Sequence, residues 1–140
     1  MIAVIINKGK KMTWQQFQQW VCKELSEHGF WAYETINKPS GQPVDIIAAK
    51  NNVTYIIECK VTKSDRFPLS RVEDNQIMAI EKFSRCGNTQ SWFAFYFRKH
   101  PDSVLFVRAN MILDLIDSGA KSTTYEELKD MSELLLEKEQ

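Results

Sequence analysis

Three charged residues stand inside the most apolar stretch of the chain. From Pro43 to Lys60 the sequence reads Pro-Val-Asp-Ile-Ile-Ala-Ala-Lys-Asn-Asn-Val-Thr-Tyr-Ile-Ile-Glu-Cys-Lys. Asn51-Asn52 separates two β-branched runs, and asparagine tolerates the positive φ of a two-residue type I′ turn, so the stretch is expected to be a β-hairpin. With that turn Lys50 faces Val53 and Asp45 faces Glu58. Like charges directly opposed cost up to about 1 kcal/mol, a cost that a purely structural hairpin does not repay. A divalent cation between the carboxylates turns repulsion into ligation, and oxygen ligands suit magnesium or manganese. Side chains alternate along a strand, so Glu58 and Lys60 share a face and Cys59 points the other way. Two acids and one amine therefore share a single patch.

The plainer reading makes Asp45 a strand end and Glu58 with Lys60 a solvated edge. The neighbouring residues count against it. Val44, Ile46, Tyr55 and Ile57 are expected on one side and Ile47, Ala49 and Ile56 on the other, as in a sheet covered on both faces. Charges in such strands are costly unless paired or metal-bound.

The elements that must position this patch follow from periodicity and punctuation. Met1 to Ile6 fits a short strand, followed by the basic segment Asn7-Lys8-Gly9-Lys10-Lys11. Thr13 caps a helix reaching about His28, with Gly29 ending it; Trp14, Phe17, Val21 and Leu25 form its inner stripe and Gln18 falls within that stripe. Phe30 to Ile36 reads as a strand and Asn37 to Pro43 as a loop. Val61 to Leu69 is polar and basic. A second helix is expected from about Ser70 to Arg85, with Ile77, Ile80 and Phe83 inward. The aromatic-rich Ser91 to Arg98 and then Val104 to Val107 read as strands. A short helix near Met111 to Asp117 precedes a capping box of Thr123 with Glu126, which opens a final amphipathic helix. The fold class is α/β, a mixed central sheet flanked by helices.

At 140 residues and 44% hydrophobic, the chain suits one domain, with a core over about residues 8–108 and a helical extension over 109–140. Cys22, Cys59 and Cys86 are odd in number and widely spaced, as expected of reduced core residues in a cytoplasmic protein. No apolar run approaches a membrane span, and the start lacks the features of a signal peptide. Formal charge is zero, but residues 1–100 hold 14 Lys and Arg against 9 Asp and Glu, and residues 101–140 hold 4 against 9. Either the tail is an ordinary solvated acidic helix, or the basic portion meets phosphate while the tail faces away.

Asp45 followed by Glu58-Cys59-Lys60, in the order helix, strand, hairpin, helix, strand, resembles the PD-(D/E)xK nucleases of the restriction-endonuclease-like fold, with the proline displaced to Pro43. Lys8-Gly9, Gly29-Phe30, Ser40-Gly41, Asp45-Ile46-Ile47-Ala48, Glu58-Cys59-Lys60 and Gln76 are similar to archaeal Holliday-junction resolvases. Phe67-Pro68-Leu69 with Asn75-Gln76-Ile77 is similar to the bacterial RecU-like ones. The resemblance spans about residues 8–108. It departs in two places. Both groups carry a glutamate on the first helix where Gln18 stands here, and an amide brings no charge to a metal. The loop Asn37 to Gln42 is also short, without the stalk of RecU-type enzymes.

The resemblance implies a structure-selective endodeoxyribonuclease, most simply a homodimeric Holliday-junction resolvase in recombination and repair, found in the cytoplasm of a bacterial, archaeal or phage-infected cell. Asp45, Glu58 and the carbonyl of Cys59 are the expected ligands of Mg2+, with Mn2+ as the alternative, and Lys60 orients the attacking water or stabilises charge on the phosphate. Gln18 and Gln76 complete the catalytic set. Ser40, Lys63, Arg66, Arg71, Lys10 and Lys11 are expected at DNA phosphates. Trp14, Phe17, Trp20, Trp92, Phe93 and Phe95 are expected in the core or at a dimer contact, and His28 and His100 are given no chemistry. Two other readings fit the same residues: a nuclease of ends, flaps or duplex, and a catalytically impaired DNA-binding module.

Overall fold

The computed structural model describes residues 3–5, 11–35, 41 and 43–136. Strand β1 (Ala3–Ile5) precedes helix α1 (Trp14–Glu27), β2 (Trp31–Glu34), β3 (Ile46–Lys50) and β4 (Val53–Thr62). Then come β5 (Arg66–Pro68), a 3-10 turn (Leu69–Arg71), α2 (Asp74–Arg85), β6 (Gln90–Phe97), β7 (Ser103–Arg108), α3 (Ala109–Asp117), β8 (Ser122–Thr124) and α4 (Tyr125–Met131). Among the described residues six strands form one mixed sheet in the order β1-β7-β6-β4-β3-β2, in which neighbours pair antiparallel except β4 and β6, which pair parallel. Helix α2 makes the crossover between them, as a parallel pair requires. β5 and β8 form a separate antiparallel pair.

The hairpin has the expected turn and register. Asn51 and Asn52 have φ of 52° and 66°, and Ile46 faces Ile57 as Lys50 faces Val53. Asp45 sits one residue before β3, at the position that continues the register to Glu58. On one face of the sheet Ile46, Ile57, Cys59, Trp92, Ala94 and Tyr96 pack under Phe17, Val21 and Leu25 of α1. On the other, Ile56, Phe93, Phe95 and Phe97 pack with Ile80, Phe67, Ile112 and Leu128. Val44 joins this second core and not the side of Ile46, because it precedes the strand and escapes its alternation.

Other elements moved by a few residues. α2 starts at Asp74, since Leu69–Arg71 forms a 3-10 turn ahead of it, and α3 starts at Ala109. The last capping box uses Thr124 and Glu127, one residue later than Thr123 and Glu126, because Thr123 is paired with Phe67 between β8 and β5. That pairing also turns part of the basic stretch after β4 into a strand. The final helix ends at Met131, and Leu136 returns to the core beneath α1. Cys59 is buried and Cys22 partly so, but Cys86 caps α2 and is exposed, so it is not a core residue. Among the described residues no helix is long and apolar enough to cross a membrane.

Candidate active site

Charge stands where the sheet is enclosed, on β4 and just ahead of β3. Asp45 is 3% exposed, Glu58 5% and Lys60 7%. Parallel pairing sets Glu58 beside Phe93 and Lys60 beside Phe95, so both charges emerge among rings of the second core. Backbone chemistry fixes Asp45: its Oδ2 accepts the Cys59 amide hydrogen at 2.8 Å. The Lys60 ammonium lies 3.6 Å from Glu58 Oε2 and donates to the Arg71 carbonyl at 2.9 Å and to Gln76 Oε1 at 3.0 Å.

Gln76 ties the site to α2. It sits at the third position of that helix, where its Oε1 also accepts the Glu73 amide hydrogen in a capping box. Its Nε2 donates to Glu58 Oε2. One amide therefore orients the carboxylate and the amine together, and its own geometry is fixed by a helix N-terminus.

Burial and the neighbouring Asp45 carboxylate push Glu58 up to about 8, against the opposing pull of Lys60. Two buried carboxylates with one ammonium lack positive charge, and a proton supplies it here. A divalent cation would do so better. The donors offered are two carboxylates and the Cys59 carbonyl, a hard oxygen set suited to such an ion. That carbonyl also accepts the Trp14 indole hydrogen at 3.3 Å, leaving a second lone pair for a ligand. The Cys59 thiol faces the first core, and burial followed by the charges of Asp45 and Glu58 holds it well above its ordinary value, so sulfur is excluded as a ligand. Among the described residues no three His, Cys, Asp or Glu side chains cluster closely enough to hold a metal by themselves.

Gln18 does lie on the inward stripe of α1, at 7% exposure. Its Nε2 donates to Glu34 Oε1 at 3.2 Å, and its Oε1 is buried without a partner. Glu34 escaped sequence reasoning, although a signal was there: it shares the strand parity of Ala32, which packs against the α1 side. Glu73 was missed too, being an unusual helix cap.

The expected phosphate contacts separate. Lys63, Arg66 and Arg71 are exposed near the end of β4 that carries Lys60. Arg71 donates to the Val61 carbonyl and lies over the Phe67 ring, while Arg66 bonds Ser122. Lys11 is exposed, at the start of the segment entering α1. Ser40 and Lys10 lie outside the described residues.

A mixed sheet presenting acid, acid and lysine from adjacent strands defines a nuclease of the PD-(D/E)xK type. The family model of the archaeal Holliday junction resolvases (Hjc) matches residues 13–135, and the chain belongs to that family. It is thus a structure-selective endonuclease, a resolvase, and nucleases of this family are metal-dependent. Among solved structures it is similar to Hjc of Archaeoglobus fulgidus, described as a Holliday junction resolvase from an archaeal hyperthermophile, at 18% identity and a TM-score of 0.60 over 84% of this chain and 92% of the other. No curated protein matches.

Proposed function

We propose that this chain acts as one nuclease domain that nicks four-way DNA junctions in pairs, with Asp45, Glu58 and the Cys59 carbonyl holding magnesium. The observation that carries the reading is the buried Asp45–Glu58 pair with Lys60 3.6 Å from Glu58. When bound, the cation polarises the scissile phosphate and lowers the pKa of the attacking water. Lys60, held by Gln76 and the Arg71 carbonyl, presents a fixed ammonium to the phosphate and to the charge that builds on it. Gln76 fixes the orientation of the Glu58 carboxylate. Lys63, Arg66, Arg71 and Lys11, with Lys10 and Ser40, meet backbone phosphates, which position DNA without reading its sequence. The oxygen donors suit magnesium and manganese alike.

Paired incision needs two sites related by a two-fold axis. Trp31 (65% exposed) and Tyr33 (46%) stack on the edge strand β2, and Ile47, which faces Tyr33 across to β3, is also exposed. This apolar face lies on the side of the sheet away from α1. A second copy of the chain covers it.

Purified protein and magnesium incubated with a four-way junction, a duplex and a single strand of matched sequence test the reading. Symmetric nicks confined to the junction support it; comparable cutting of duplex would assign a general nuclease, and binding without cutting an impaired module.

A further inference from the structure

Strand β3 stops short of the site, and the backbone it leaves open has to be met by side chains. Its first residue, Ile46, pairs with Ile57. Alternate residues of a strand turn their amide and carbonyl to the same side, so Cys59 and Val61 point theirs to the side that β3 has vacated. Buried backbone groups without a partner are costly. Three side chains answer them. Asp45 Oδ2 accepts the Cys59 amide hydrogen at 2.8 Å, Arg71 donates to the Val61 carbonyl at 2.6 Å, and the Trp14 indole donates to the Cys59 carbonyl at 3.3 Å. The indole thus reaches, from α1, the carbonyl of the residue that lies between Glu58 and Lys60.

Trp14 is placed for this contact and not for packing. It heads the stripe that Phe17, Val21 and Leu25 continue, yet it is half-buried and, among the described residues, belongs to neither core, against the expectation of a core position. The turn that carries it is fixed: Thr13 Oγ1 accepts the Gln16 amide hydrogen and Gln16 Oε1 accepts that of Thr13, a capping box directly ahead of Trp14. We infer that Trp14 is a positioning residue of the metal centre: its indole N–H holds the Cys59 carbonyl in one orientation, as Asp45 holds the Cys59 amide, and so raises the affinity of the site for a divalent cation. A carbonyl oxygen has two lone pairs, so an indole and a cation can share it. The first helix then contributes a neutral donor to a centre whose charges come from β4 and the residue ahead of β3. Groups that orient a ligand in this way change metal affinity by about 10–100-fold.

The inference rests on the proposed metal site, and the test separates the two. Mn2+ alone is titrated into the full chain without DNA, and free ion is followed by electron paramagnetic resonance for the unaltered protein, Asp45→Asn, Trp14→Phe and Trp20→Phe. Trp14→Phe keeps an aromatic ring and removes the N–H. Trp20→Phe makes the same change on the same helix, at a ring that does pack against the first core, and so reports what loosening α1 alone does. Circular dichroism and thermal melts check the fold of each variant. The expected result is loss of binding in Asp45→Asn, affinity lowered by about tenfold or more in Trp14→Phe, and unaltered affinity in Trp20→Phe. Binding by Trp14→Phe as tight as that of the unaltered chain, or equal weakening in Trp14→Phe and Trp20→Phe, overturns the role of Trp14 and leaves the metal site standing. If the unaltered chain does not bind Mn2+, or Asp45→Asn binds equally well, the metal site itself falls and this inference with it.

Discussion

Glu58 is the residue on which the proposed chemistry turns, because its environment bears on both stability and the proposed metal binding. Its folded value near 8 lies above the ordinary 4.5, so the folded chain keeps a proton that the unfolded chain gives up at lower pH. The stabilising contribution is complete below about pH 4.5 and is lost as pH rises through about 8. A cation displaces that proton, so its affinity rises over the same window. Two outcomes are expected from thermal melts between about pH 5 and pH 8: the metal-free protein loses stability as pH rises, and the increment given by magnesium grows. An increment independent of pH would contradict the assignment of Glu58. Gln76 acts at the same scale. Gln76→Ala removes one of the two acceptors of Lys60, leaving the Arg71 carbonyl, and takes the amide donor from Glu58, and junction cleavage should slow by about 10–100-fold with the circular dichroism spectrum preserved; an unchanged rate would reduce Gln76 to a helix cap.

Among the elements, the hairpin contributes most to placing Asp45 opposite Glu58, and its turn can be tested directly. Asn52 has a φ of 66°, so Asn52→Gly should stabilise the chain by up to about 1 kcal/mol in denaturant unfolding, whereas Asn52→Val should cost about 1–2 kcal/mol. This hairpin was legible because both its turn and its register are local: two asparagines and an alternating pattern settle which residues meet. Helix α1 was legible for the same reason, through Thr13, the Phe17-Val21-Leu25 stripe and Gly29. What failed was non-local. The chain Thr123-Thr124-Tyr125-Glu126-Glu127 offers two equivalent capping boxes, and the choice is made by Phe67, distant in sequence, pairing with Thr123. Arg66 to Pro68 gave no strand signal because its partner lies in β8. At the site, the grouping of Asp45, Glu58 and Lys60 was readable from type and spacing, and Gln76 came from the family resemblance. The contact of Gln18 with Glu34 was not readable, since it comes from the packing of α1 over β2.

Over the whole molecule, the acid pair, the lysine and the exposed apolar face occupy the side of the sheet away from α1. In the proposed function this placement would join catalysis to assembly: if a second copy covers Trp31, Tyr33 and Ile47, two sites are fixed relative to one another on a two-fold axis. A charge placed there should undo the assembly without unfolding the chain. Tyr33→Glu is expected to sediment as a monomer and to release single nicks in place of paired ones; a monomeric unaltered protein that still cuts in pairs would contradict this arrangement.

The most direct measurement maps the cut positions on all four strands of an end-labelled four-way junction, with magnesium, for the unaltered protein and for Asp45→Asn. The substitution keeps an acceptor for the Cys59 amide but removes the ligand charge. The account predicts paired nicks at symmetric positions for the unaltered chain. It predicts none for Asp45→Asn, with junction binding retained in a gel shift. Cleavage by Asp45→Asn at the same positions and rate would contradict it.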